Sequence, residues 1–191
     1  MNRLPNGLTF SHQLLREAVA SGDNVIDGTV GNGHDTLLLA TLVGAAGQVY
    51  GFDIQEPAIQ ATKRLLTQHK IDPTIVKLYQ KSHAEIDTVL PTDTPISAAI
   101  FNLGYLPGGS KAIITKPAST LVAIKACLKH LKKFGLVIVV VYYGHPGGLA
   151  EKQAILDFCQ KLPQKRYSVL NYGFINQVHE PPFVLAIQKI N

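Results

Sequence analysis

The stretch DGTVGNGHDT, Asp27 to Thr36, decides how the chain reads. It follows a short β-rich run, VIDG at 25–28, and opens a helical pattern over 34–44. Gly28, Gly31 and Gly33 let the backbone turn sharply and approach a ligand with no side chain in the way. A cluster this dense between a first strand and a first helix reads as a nucleotide-binding turn rather than a bare glycine-rich connection. A Walker phosphate loop would end in Gly-Lys-Ser or Gly-Lys-Thr, and none is present. The dinucleotide fingerprint fits in part: Gly31 and Gly33 match its first two glycines, while Thr36 occupies the place of the third.

The acids separate the possible ligands. A pyrophosphate favours the positive end of a helix and no negative neighbours, yet Asp27 precedes this loop and Asp35 lies in the first helical turn. Two carboxylates suit a cation. S-adenosylmethionine carries an ammonium and a sulfonium and has no phosphate, so Asp27 is expected near its amino-acid end while Gly31 and Gly33 admit its chain. Asp35 serves either that ligand or only the helix dipole. An NAD-dependent oxidoreductase is the rival that these charges argue against.

Outward from this loop, β-rich runs alternate with helical patterns. Strands are expected at 25–28, 48–53, 74–79, 96–102, 136–143, 167–173 and 183–189, and helices at 34–44, 56–70, 117–133 and 148–161, with an opening helix at 11–21 capped by Ser11. Strand–helix alternation predicts an α/β fold, a mostly parallel seven-stranded sheet with helices on both faces. The last two runs are joined by about ten residues around NQVHEPP, too few for a helical crossover, so they form an antiparallel C-terminal hairpin.

Composition frames this fold. With 191 residues and 46% hydrophobic content, one domain spanning 1–191 is expected. No apolar leader is apparent, and the longest apolar run, 136–143, is too short to cross a bilayer, so a cytoplasmic protein is expected. Cys127 and Cys159 lack paired spacing and read as core residues, and no His pair has metal-ligand spacing. A net charge of +5 makes a polyanionic partner plausible.

Ligands of open α/β sheets bind at strand ends. The second strand ends in Asp53 and Ile54, about twenty residues past the glycine loop, where a carboxylate can accept both ribose hydroxyls of an adenosine. After the third strand, Ser82 or His83 can bond the adenine edge. The fourth strand ends in FNLGYLPGG, 101–109, placing Asn102 at its tip. This is either an Asn-Gly turn or a transfer site. His145, after the fifth strand, is placed to reach a substrate or take a proton, or to stabilise its turn. Lys111 and Lys116 follow the Asn102 loop as phosphate contacts, whereas Lys129, Lys132 and Lys133 complement a helix end or stay solvated. His12 and His34 have no assignable partner in the sequence.

Taken together, DGTVGNGHDT, FDIQ, SHAEI, FNLGYLPGG, YYGHPGG and NQVHEPPFVLAI closely resemble the rRNA-methylase family of class I methyltransferases, through almost the whole chain. Within that family the resemblance points to the branch that methylates 5-aminomethyl-2-thiouridine at wobble position 34 of tRNA. It implies a Rossmann-like fold, S-adenosylmethionine as cofactor, the anticodon arm of tRNA as partner, and 5-methylaminomethyl-2-thiouridine as product. Asp27, Gly31, Gly33 and Asp53, with Thr29, Asn32, Asp35, Thr36, Ile54, Ser82, His83 and Asn102, would hold the cofactor. His83 stands where an adenine-reading acid is usual in such enzymes. Asn102, Leu103, Tyr105 and His145 would form the transfer site, with Gly104, Tyr105, Lys111 and Lys116 facing substrate. Asn-Leu-Gly-Tyr resembles the Asn-Pro-Pro-Tyr tetrapeptide of amino-group methyltransferases, with the stiffness of both prolines removed. An rRNA or small-amine substrate is the alternative within the class, and a non-catalytic tRNA-binding module the alternative outside it. With no appended RNA-binding module in the sequence, a homodimer is expected.

Overall fold

The computed structural model describes residues 3–191. Seven strands form one sheet: β1 (Asn24–Asp27), β2 (Gln48–Asp53), β3 (Val76–Gln80), β4 (Ile96–Leu103), β5 (Leu131–Val141), β6 (Tyr167–Tyr172) and β7 (Phe183–Lys189). Their order is β3-β2-β1-β4-β5-β7-β6, with β3 to β5 parallel and β7 antiparallel to both β5 and β6. The expected doubly covered sheet with its antiparallel C-terminal pair is therefore present. β7 inserts between β5 and β6, which leaves β6 at the edge.

Successive strand residues point to opposite faces, so an unbroken apolar run feeds two cores. Ile26, Phe101 and Val139 pack on one face with helices α4 (Ile86–Val89), α5 (Pro117–His130) and α6 (Gly148–Gln160). Val25, Ile100 and Ile138 pack on the other with α1 (Gly7–Ala18), α2 (His34–Val43) and α3 (Glu56–Gln68). Cys127 and Cys159 are buried free thiols, both pushed up by burial.

The structure differs from the sequence reading most at three places. The opening helix begins at Gly7, capped by the Asn6 side chain, and Ser11 instead bonds the Leu8 carbonyl inside the helix. α5 ends at His130, so Lys132 and Lys133 lie on β5. A 3-10 turn at His83–Glu85 and the four-residue α4 follow β3, where no helix is expected from the sequence.

The strand order turns back between β1 and β4, the crevice where such sheets bind ligands. The two strand ends are tied across it. Gly28 N–H donates to the Ile100 carbonyl at 2.9 Å, and Asn102 N–H donates to Thr29 Oγ1 at 2.7 Å. A side chain at Gly28 would sit 2.1 Å from the Phe101 ring, so glycine is required there by packing.

Candidate active site

Two cavities open along the carboxyl ends of β1, β2, β4 and β5. The first, about 370 Å³, is lined by Gly28, Asp53, Ile54, Ser82, His83 and Lys116 among others. The second, about 690 Å³, is lined by Gly33, Asp35, Leu103, Lys111, Tyr142, His145 and Glu180 among others. Thr29, Gly31, Asn102, Gly104 and Tyr105 border both. The two spaces therefore meet at the residue singled out on the fourth strand.

The wall of the first cavity is built by the glycine loop and Asp53. Gly31 has φ +52° and donates its N–H to Asp53 Oδ2 at 2.9 Å, and Gln55 N–H donates to Oδ1 at the same distance. Each carboxylate oxygen keeps a lone pair for a ribose hydroxyl. Gly33, at φ +87°, lies against Thr62, whose hydroxyl would be 2.7 Å from an added Cβ. His83 Nδ1–H donates to the Gly28 carbonyl at 3.2 Å, so Nε2 carries the lone pair. Nε2 is buried without a partner, and burial holds the ring below its usual pKa, hence neutral. His83 thus lines the first cavity, but its free acceptor Nε2 is shut off from that space, so the expected bond to an adenine edge is not formed by the ring as it stands.

Asp27 is fully buried beneath the loop rather than on either wall. Its carboxyl accepts from Thr36 Oγ1 at 2.6 Å and from Thr29 N–H at 3.1 Å. Burial and the neighbouring charges of Asp35 and Asp53 push it up to about 7, against the pull of those two hydrogen bonds. Such a cluster of acids gains from a nearby cation. Asn32, expected at the cofactor, lies on the second cavity and reaches the Pro107 carbonyl at 3.4 Å.

At the second cavity, Asp35 joins two elements. Oδ1 receives His12 Nε2 of α1 at 2.6 Å, and Oδ2 receives the Asn102 amide nitrogen. A carboxylate only accepts, so the Asn102 NH₂ faces Asp35 and its carbonyl oxygen points away, with no protein partner among the described residues. His12 is thus a site residue that sequence reasoning left without a partner, because its acid lies 23 residues further on.

The turn at Leu103 and Gly104 is held without prolines at those two positions. Gly104 has φ +143° and donates its N–H to Thr115 Oγ1 at 3.0 Å, while Thr115 N–H returns to the Gly104 carbonyl at 2.9 Å. The Thr115 hydroxyl in turn donates to buried Glu151 of α6, which also accepts from Thr120 at 2.6 Å. Tyr105 is 40% exposed, its ring edge-on to His145 at 5.8 Å, with Lys111 Nζ 5.8 Å from its centroid.

Three expected contacts sit differently. The Leu103 carbonyl already accepts Tyr142 N–H at 3.2 Å, which leaves it one lone pair. Both His145 nitrogens face carbonyls of its own turn, those of Tyr142 and Pro146, so whichever nitrogen carries the N–H donates within the turn. Lys116 lines the first cavity rather than the second. Among the described residues no group of three or more His, Cys, Asp or Glu side chains is arranged to hold a metal.

Residues 49–188 match the family model described as "Putative rRNA methylase". The chain belongs to this family. Solved structures are similar to it along almost its full length. The "putative rRNA-methylase" of Clostridium thermocellum is 40% identical, covers 99% of this chain and 100% of its own, and superposes with a TM-score of 0.95. A Streptococcus mutans "putative methyltransferase", solved in complex with S-adenosylhomocysteine, is 39% identical over 98% of this chain and 99% of its own, with a TM-score of 0.89. The chloroplastic tRNA (mnm5s2U34)-methyltransferase of Arabidopsis thaliana is 37% identical over 95% of this chain and 69% of that one. The family member is a methyltransferase that uses S-adenosylmethionine, and the nicotinamide alternative falls with that finding.

Proposed function

We propose that this methyltransferase transfers a methyl group to the exocyclic amine of 5-aminomethyl-2-thiouridine at position 34 of tRNA, giving 5-methylaminomethyl-2-thiouridine. The observation that carries the reading is the meeting of two cavities at Asn102, whose amide oxygen has no protein partner. The first cavity is the cofactor's, with Asp53 on the ribose, Ser82 on the adenine, and Asp27 supplying negative potential beneath the glycine loop. The second is the acceptor's, and its mixed lining of carboxylate, lysine and tyrosine suits a nucleotide that carries an amine. The name of the Arabidopsis relative supports tRNA over rRNA, the substrate named in the family description.

The cofactor supplies a methyl group already activated on a sulfonium, so the protein's work is positioning. An alkylamine is mostly protonated at neutral pH and lacks a free lone pair. The ammonium gives up its proton to solvent on entering the site, and the Asn102 oxygen then accepts one N–H of the neutral amine and aims its lone pair into the first cavity, the methylated product leaving as a protonated secondary amine. Tyr105, steadied by His145 and Lys111, stacks on the pyrimidine. Lys111 takes a phosphate near the opening.

Nucleoside mass spectrometry of tRNA incubated with the protein and S-adenosylmethionine tests this. Conversion of aminomethyl to methylaminomethyl thiouridine is expected. Unchanged tRNA beside methylated rRNA would overturn the substrate.

A further inference from the structure

Asp35 lies in the first turn of α2 and is 7% exposed, with both carboxylate oxygens engaged by other elements. One takes His12 Nε2 at 2.6 Å and the other takes the Asn102 amide nitrogen. The orientation of that amide matters more than its position. Rotated by half a turn it keeps its shape and presents NH₂ to the acceptor cavity, where a donor cannot hold an amine N–H. Asp35 sets the orientation by accepting from the NH₂, and His12, bonded to its other oxygen, fixes where that carboxylate sits. Docking of α1 does not need this hydrogen bond. Leu15 is fully buried, Phe10 stacks on Tyr172 at 4.1 Å, and the Tyr172 hydroxyl donates to the Pro5 carbonyl at 2.7 Å. His12 is therefore free for a second task.

We infer that His12 is a positioning residue: acting through Asp35, it sets which end of the Asn102 amide faces the acceptor amine. The inference rests on the reading of Asn102 as the amine-holding group. It makes α1 part of the catalytic arrangement, since Leu8 of the same helix lines the acceptor cavity. No proton need move along the chain of bonds. His12 donates Nε2–H to Asp35, and Asp35 accepts from Asn102 throughout.

The test compares His12→Ala with His12→Gln, whose side-chain amide can donate at nearly the reach of Nε2. Turnover of the alanine variant on tRNA is expected to fall about tenfold or more, with the KM for tRNA and the Kd for S-adenosylmethionine within about twofold of wild type. The glutamine variant should recover most of that loss. A readout independent of the substrate is the Asn102 side-chain amide resonance pair in a nitrogen-edited NMR spectrum, assigned by its loss in Asn102→Asp. It should shift in His12→Ala and keep its wild-type position in His12→Gln. An unshifted amide in His12→Ala, or a folded glutamine variant as slow as the alanine one, would overturn the inference. If wild type leaves the tRNA unmethylated while the amide responds as described, the substrate is wrong and the positioning role of His12 stands.

Discussion

In the proposed reaction Asn102 and Asp27 have opposite kinds of work, one acting by direction and the other by charge. Removing the Asn102 side chain takes away the acceptor at the junction of the cavities and leaves the rest of the first cavity's wall, Asp53 and the glycine loop included, in place. Asn102→Ala should leave S-adenosylmethionine affinity within a few-fold and lower turnover by about a hundredfold, read by calorimetry and single-turnover methyl transfer. Asp27 predicts a pH effect whose sign follows from its pKa of about 7. Below that value the free protein holds a proton on Asp27, and a bound cation favours its loss. Cofactor affinity should therefore rise as pH rises towards 7, by up to about tenfold per unit, with proton release seen by calorimetry in two buffers. Asp27→Asn should flatten that slope. The same raised value means that Asp27 contributes stability to the free protein at acid pH, and that this contribution is lost as pH rises through about 7.

At the scale of elements, the Asn102 arch depends on a carboxylate more than thirty residues away on α6. Thr115→Val keeps the shape of the side chain and cuts the link between Gly104 and Glu151. Hydrogen exchange at Gly104 and Tyr105 should speed up and turnover should fall several-fold, with cofactor binding unchanged. Glu151→Ala leaves two hydroxyls without their buried acceptor and should cost about 1–3 kcal/mol of stability, measured by denaturant titration. Gly28→Ala should be more damaging, since its Cβ overlaps the Phe101 ring. The strands around this arch were legible because each is a dense apolar run ending in a glycine or polar residue. The start of β5 was not, because Lys132, Lys133 and Phe134 are exposed and Phe134 has φ +65°, so the polar stretch reads as the end of a helix. Asn6 and Ser11 are both capping types, and only the structure shows which side chain receives a backbone N–H of α1. Within the site, residues at strand tips could be found from local spacing. The pairs His12–Asp35 and Thr115–Glu151 are separated by 23 and 36 residues, and neither partner carries a signal without the other.

For the whole molecule, the basic balance of 18 lysines and arginines against 13 acids is consistent with a polyanion held by charge. Binding of an anticodon stem-loop should weaken with salt, log K falling linearly with log salt concentration, and Lys111→Ala should reduce that slope by about one. Lys116, on the wall of the other cavity, should change the slope less and cofactor affinity more. A homodimer, if it supplies further RNA surface, is measured by light scattering at assay concentrations. No helix among the described residues is long and apolar enough to cross a membrane. The hold on Gly104 gives the assembled molecule one more property. A proline pair stiffens a loop through covalent rings that thermal motion cannot open. Two hydroxyls and a carboxylate form a latch of bonds each worth about 1–3 kcal/mol, so the stiffness of this arch rests on a buried acid and is lost when that acid is removed.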